Sequence, residues 1–219
     1  MRLLSLLFVF VACGCSSFAQ SKPAVLIPGL GRHHHTISTK NPEAQRFFDQ
    51  GLTLVFGFNH EEAVRAFRRA AELDPQSAMA FWGMALALGP CINLDVDPPH
   101  EKAAYEAVQK ALSLAPGATE PERAYIQALA NRYSPDPQAD LRWLDAEYAK
   151  AMRELSKKYP DDLDAATLYA ESLMDLHPWK LWSLDGHPTA GTEEILAVRK
   201  RWTELVLVPY SVLVGNMVR

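Results

Sequence analysis

The feature that most limits what this chain can fold into is a recurrence of small residues among large ones, at helical spacing, in segments punctuated by proline. Residues 47–75 read FFDQGLTLVFGFNHEEAVRAFRRAAELDP. Two helices fit this stretch. The first starts at Asn41-Pro42, where the asparagine side chain caps free amides and the proline needs no donor. It runs to about Phe58, and Asn59-His60 breaks it. Glu61 opens the second helix, which ends at Asp74-Pro75 because proline has no N–H and turns the residue before it away from helical angles. Phe47 and Leu54 flank Gly51 in the first helix; Ala63 and Ala70 flank Phe67 in the second. A helix gives up side-chain volume in this way where a neighbour crosses it closely, and the large residues fill the spaces on either side.

The pattern returns. Thirty-four residues after Gly51 comes Ala85, between Phe81 and Leu88. Ala104, Val108, Ala111 and Pro116 repeat the spacing of Ala63, Phe67, Ala70 and Pro75. Pro75 and Pro116 are 41 apart, so the second unit holds seven extra residues, for which GPCINLDVDPPHEK between its helices is the natural place. A third unit is looser, with Ala128 at the small place and Tyr148, Met152, Leu155 and Pro160 in its second helix. A fourth opens with Ala166, Tyr169, Ala170 and Leu173. The units fall at 42–75, 76–116, 117–160 and 161–175 onward. A period near 34 residues predicts a stack of helical hairpins.

This spacing resembles the tetratricopeptide repeat (TPR): an aromatic, a small residue four later, then A-x3-F-x2-A-x4-P. The likeness covers roughly residues 42–175. The first unit matches almost throughout, the second with an insertion, the third in part, the fourth in its first helix alone. The resemblance implies an all-α fold, a right-handed α–α superhelix of antiparallel hairpins. Its packing positions would be Phe47, Gly51, Leu54, Ala63, Phe67, Ala70, Pro75, Phe81, Ala85, Leu88, Ala104, Val108, Ala111, Pro116 and Ala170. It also implies a concave groove lined by first helices, here at Gln45, Phe48, Leu52, Val55 and Phe56, then Met79, Trp82 and Leu86. That face is apolar and aromatic. Asp49 and Gly83 stand where carboxylate-gripping members of the family carry asparagine, so that clamp is absent. The function implied is a non-catalytic scaffold that binds a protein or peptide segment in the groove. The other occupant to expect is the chain's own missing part, since a solenoid needs caps.

The flanks read differently. Residues 1–19 form a secretory signal peptide: Arg2, the run LLSLLFVFVA, too short to span a bilayer, and small residues at Ser17 and Ala19 before a cut at Gln20. The mature chain is expected in the periplasm or outside the cell, without a membrane span. Lipid anchoring through Cys13 or Cys15 is the rival, although neither has the usual leucine three residues before it. Processing leaves Cys91 alone, so no disulfide framework is expected. A formal net charge of −4 with no basic run gives no reason to expect a nucleic-acid partner. Residues 20–41 read as an extended lead-in. Residues 176–191 are a loop rich in tryptophan and proline, with Trp179 and Trp182 expected to pack down as a lid beside His177 and His187. A helix restarts over 192–204 with Thr192 as cap, but VRKRW leaves it no clean apolar stripe. The apolar stretch 205–219 resembles nothing before it: it is a private strand, a partner-binding segment, or the altered end of a truncated member of a longer family.

Chemistry is sparse. The run HHH at 33–35 offers imidazoles of the kind that bind zinc, nickel or copper, and His33 and His35 share one side of an extended chain. No carboxylate or cysteine stands near them at ligand spacing, so neither a metal nor a cofactor is expected. His33 and His35 remain the candidates for the alternative reading, an exported protein that binds a metal or small molecule. Asp95, Asp97 and Glu101 fall short of a calcium loop. There is no phosphate loop, dinucleotide fingerprint, HExxH or GxSxG, and nothing assembles a nucleophile with a base, so no catalysis is expected.

Overall fold

The computed structural model describes residues 24–205. The leader at 1–19, with Cys13 and Cys15, and the tail from residue 206 lie outside the described residues. Within them the chain is all-α, with eight α-helices and no strand. The helices are α1 (Pro42–Phe56), α2 (His60–Leu73), α3 (Ala78–Leu88), α4 (Pro98–Leu114), α5 (Glu120–Ala130), α6 (Leu141–Lys158), α7 (Leu163–Asp175) and α8 (Thr192–Leu205).

Their starts follow from local chemistry. The Asn41 side chain accepts from the amides of Glu43 and Ala44, with Pro42 behind it. Asn59, Asp97, Asp140 and Asp162 cap α2, α4, α6 and α7 in the same way. Thr119 and Glu122 form a reciprocal capping box at α5. The expected loop GPCINLDVDPPHEK is only partly a loop. Asp97 with the two prolines after it starts α4 at Pro98, so the insertion is divided between the turn 89–97 and a longer helix.

Each helix packs on its neighbour in sequence, and α3 also touches α1 and α5. A close crossing centres on Phe67 of α2, which is fully buried. A Cβ added at Gly51 of α1 would meet the Phe67 ring at 2.6 Å, and one at Gly83 of α3 at 2.4 Å. One ring therefore lies against two backbones. Ala85 is buried as expected, but the second residue that makes room for Phe67 is Gly83, which the repeat spacing did not single out. Phe47, Leu54, Ala63, Ala70, Ala104, Val108 and Ala111 are buried in the same core, with Phe81 and Leu88 packed on its edge. Ala170 is half-buried, and Pro75 and Pro116 are exposed: the prolines end helices rather than fill space.

Two expectations about the C-terminal part are corrected. The segment 192–205 does present an apolar edge, since Ile195 and Val198 lie against the core and α8 packs on α7. Spaced three apart, they share one helix face. Trp179 and Trp182 do not form a lid: they are 67% and 45% exposed. The loop is held by its backbone instead, with the Ser183 amide on the His187 carbonyl and the Thr192 hydroxyl on the Leu181 carbonyl.

Candidate functional site

The first helices of successive hairpins put one large ring each on a common face. Phe48 of α1 lies 6.3 Å from Trp82 of α3, and Trp82 lies 5.5 Å from Tyr125 of α5, centroid to centroid. The next helix in that series, α7, offers its N-terminus with Asp162 and Asp164.

The extended lead-in crosses this face. Its backbone is held by side chains of the helices, not by a strand ladder. Gln45 spans two peptide groups, donating to the His35 carbonyl at 2.9 Å and accepting from the Ile37 amide at 3.0 Å. Asp49 accepts from the His35 amide at 3.1 Å. Glu122 of α5 accepts from both the amide and the hydroxyl of Ser38. Further up α1, Gln50 accepts from the Ile27 amide at 2.7 Å and donates to the Val25 carbonyl at 3.0 Å. Burial alone would raise the Glu122 pKa, but the hydrogen bonds from Ser38 and Thr119 outweigh it, and the net direction is downward.

An open apolar groove is therefore not found at the expected positions. Phe48, Leu52, Val55, Met79, Trp82 and Leu86 are buried, and Gln45 and Phe56 are half-buried. The lead-in supplies part of that cover: the His33 ring meets Phe56 edge-on at 5.5 Å, and His35 lies 6.0 Å from Phe48. Over Phe48 and Phe56 the occupant is this N-terminal segment.

The three histidines separate as an extended chain dictates. His34 points away and bonds Asp49 at 2.7 Å on an exposed edge. His33 and His35 point inward and meet Asp164. His35 Nδ1 lies 2.7 Å from Asp164 Oδ2, and His33 Nε2 lies 3.3 Å from Asp164 Oδ1. Neither atom of that second pair is aligned for a hydrogen bond, and both are buried without one. Asp162 uses one carboxylate oxygen to cap α7 and accepts the Tyr125 hydroxyl on the other, at 2.8 Å. His35, Asp162 and Asp164 each bring a ligating atom within 4.8 Å of the others. Burial would lower the His35 pKa, but the hydrogen bond and charge of Asp164, with Asp162 and Asp49 behind it, turn the net shift upward.

The missing carboxylate is thus present, and comes from a helix start 129 residues away. The local signal that existed was the run DDLD at 161–164, legible as a cap but silent about its facing partner. Other candidates do not converge. Cys91 is buried, which pushes its thiol pKa up and away from reactivity. Asp97 is occupied by the start of α4 and by His100. His187 pairs with Asp185 on an exposed loop, and His60 bonds the Ala87 carbonyl across to α3.

Among the described residues no helix is long and apolar enough to cross a membrane. No protein-family model matches the chain, and no curated protein or solved structure matches it either.

Proposed function

We propose that this chain is a non-catalytic, tetratricopeptide-type scaffold that binds an extended protein segment along its first-helix face, and that it works after export, in the periplasm or outside the cell. Support for the architecture comes from helices packed in chain order, with α3 also touching α1 and α5, and from small residues that let Phe67 nest between α1 and α3. The export reading rests on the leader sequence at 1–19.

The observation that carries the binding reading is how the lead-in is held. Gln45, Asp49 and Glu122 bond backbone amides at His35, Ile37 and Ser38. Main-chain hydrogen bonds give affinity for an extended peptide with some tolerance of its sequence. Residues 24–40 are then the segment bound in cis, and a partner segment would compete for the same side chains.

Exchange tests this. The full chain with His35→Ala and Ile37→Ala weakens the resident segment without touching the receiving helices. A fluorescent peptide spanning residues 24–41 of the natural sequence should bind that variant, give far less signal with the unmodified chain, and be displaced by unlabelled peptide. A variant with unchanged far-UV circular dichroism that takes up no peptide contradicts the reading.

A further inference from the structure

The inner side of the lead-in brings two imidazoles to the carboxylates of α7, and this junction has features that a resting ion pair does not need. Asp164 is only 7% exposed. Its Oδ1 and the facing His33 Nε2 are 3.3 Å apart and buried, yet neither makes a hydrogen bond. Buried polar atoms are nearly always paired, so two left facing each other call for a reason. Ligand atoms bound tetrahedrally at ~2.0–2.1 Å from one ion sit ~3.3 Å apart, which is the spacing found between these two atoms. The charges point the same way. Asp164 bonds the His35 ring, Asp49 bonds its amide, and Asp162 brings a carboxylate oxygen within 4.8 Å of a nitrogen of the same ring.

We propose that His35, Asp162 and Asp164, whose ligating atoms lie within 4.8 Å of one another, form a binding site for a single divalent transition-metal cation, zinc in the first instance, with His33, which faces the other oxygen of Asp164, as a fourth ligand once its ring turns toward the ion. Two imidazole nitrogens with carboxylate oxygens suit zinc and its neighbours nickel and copper, and do not suit magnesium or calcium, which take all-oxygen sets. Binding requires the 2.7 Å contact between His35 Nδ1 and Asp164 Oδ2 to open by about half an ångström, so that the cation replaces the shared proton. The supporting shell is in place: Tyr125 donates to Asp162, Gln45 holds the His35 carbonyl, and Phe48 and Tyr125 flank the His35 ring. A bound cation would pin the lead-in to α7, and so link the segment before α1 to the seventh helix. The inference does not depend on the peptide-binding reading, because the resident segment brings His35 to Asp164 whether or not a partner segment can compete for its place.

The experiment uses the full chain stripped with a chelator, then equilibrium dialysis against zinc alone and, separately, magnesium, with thermal melting of each sample. The expected result is one retained zinc per chain, a raised melting temperature with zinc and no retention of magnesium. Asp164→Asn and His35→Gln should each weaken zinc binding by more than ~100-fold, while His34→Ala leaves it unchanged. Two results overturn the proposal. One is a stripped wild-type chain that retains no zinc. The other is retention that survives in Asp164→Asn but falls in His34→Ala, which is chelation by an exposed histidine run. Should Asp164→Asn fail to fold, His35→Gln decides the matter, since it removes a ligand on the lead-in and leaves the helices unchanged. No peptide enters the measurement, so its failure is separable from failure of the peptide exchange.

Discussion

Phe67 shows how much of the fold rests on single atoms. Its ring fills the space left by the absent side chains of Gly51 and Gly83 and packs on Phe48 at 5.4 Å. Helix propensity alone would favour alanine over glycine at both sites by ~1 kcal/mol. The contact opposes this, because an added Cβ would stand 2.4 Å from the ring at position 83. Overpacking on this scale outweighs the propensity, and Gly83→Ala should lose a net ~1–2 kcal/mol of stability in urea denaturation. Phe67→Leu should recover part of that loss in the double variant, where its cost alone is that of a smaller core side chain. A Gly83→Ala protein more stable than the parent would show that the close approach does not exist. The repeat spacing made Gly51 and Phe67 legible as partners. It also marked Ala85, which is fully buried, but left Gly83 unmarked as the second neighbour of Phe67, because an interval of 34 residues gives the position on the helix but not which neighbour's ring arrives there.

At the scale of elements, helix starts and ends were readable because caps and prolines act within four residues of themselves. The junctions between elements were not. Arg132, just after α5, is buried between Asp145 of α6 and Asp175 of α7, at 3.0 and 2.7 Å, with its guanidinium over the Tyr148 ring. Nothing local marks that arginine as interior. Beside it, burial and then the charge of Asp175 push the carboxyl of Glu171 up to about 8, against the opposing pull of Arg132. Asp175 is raised as well, by burial. The native state therefore holds a proton that the unfolded chain gives up near pH ~4.5. The associated stability is fully present below that value and is lost as pH rises through about 8. Melting temperature should fall as pH rises from about 4.5 to about 8 and level off above that, and Glu171→Gln should flatten that fall. A Glu171→Gln protein with an unchanged pH profile would exclude this carboxyl as the source. The exposed Trp179 and Trp182 belong to the same lesson: tryptophan in a loop suggests burial, and only the neighbouring elements decide whether a surface is there to receive it.

For the whole molecule, the sequence revealed the helical array but not what lies on it. Residues 24–40 have no periodicity, and their partners stand 84 and 129 residues away at Glu122 and Asp164. A non-periodic segment offers no clue to which face it crosses, so the same positions that resemblance marks as an open groove, Phe48 and Trp82 among them, turn out buried. The histidines at 33 and 35 were visible from the start, and the fold alone supplies the carboxylate they face. Both the peptide-binding and the cation-binding readings require this segment to be gripped. Amide hydrogen exchange at His35, Ile37 and Ser38 measures that grip directly, because those three amides are bound by Asp49, Gln45 and Glu122. The account predicts that all three exchange at least ~10-fold more slowly in the full chain than in a free peptide of residues 24–41, and that Glu122→Ala releases Ser38. Exchange at the free-peptide rate in the folded chain would contradict it.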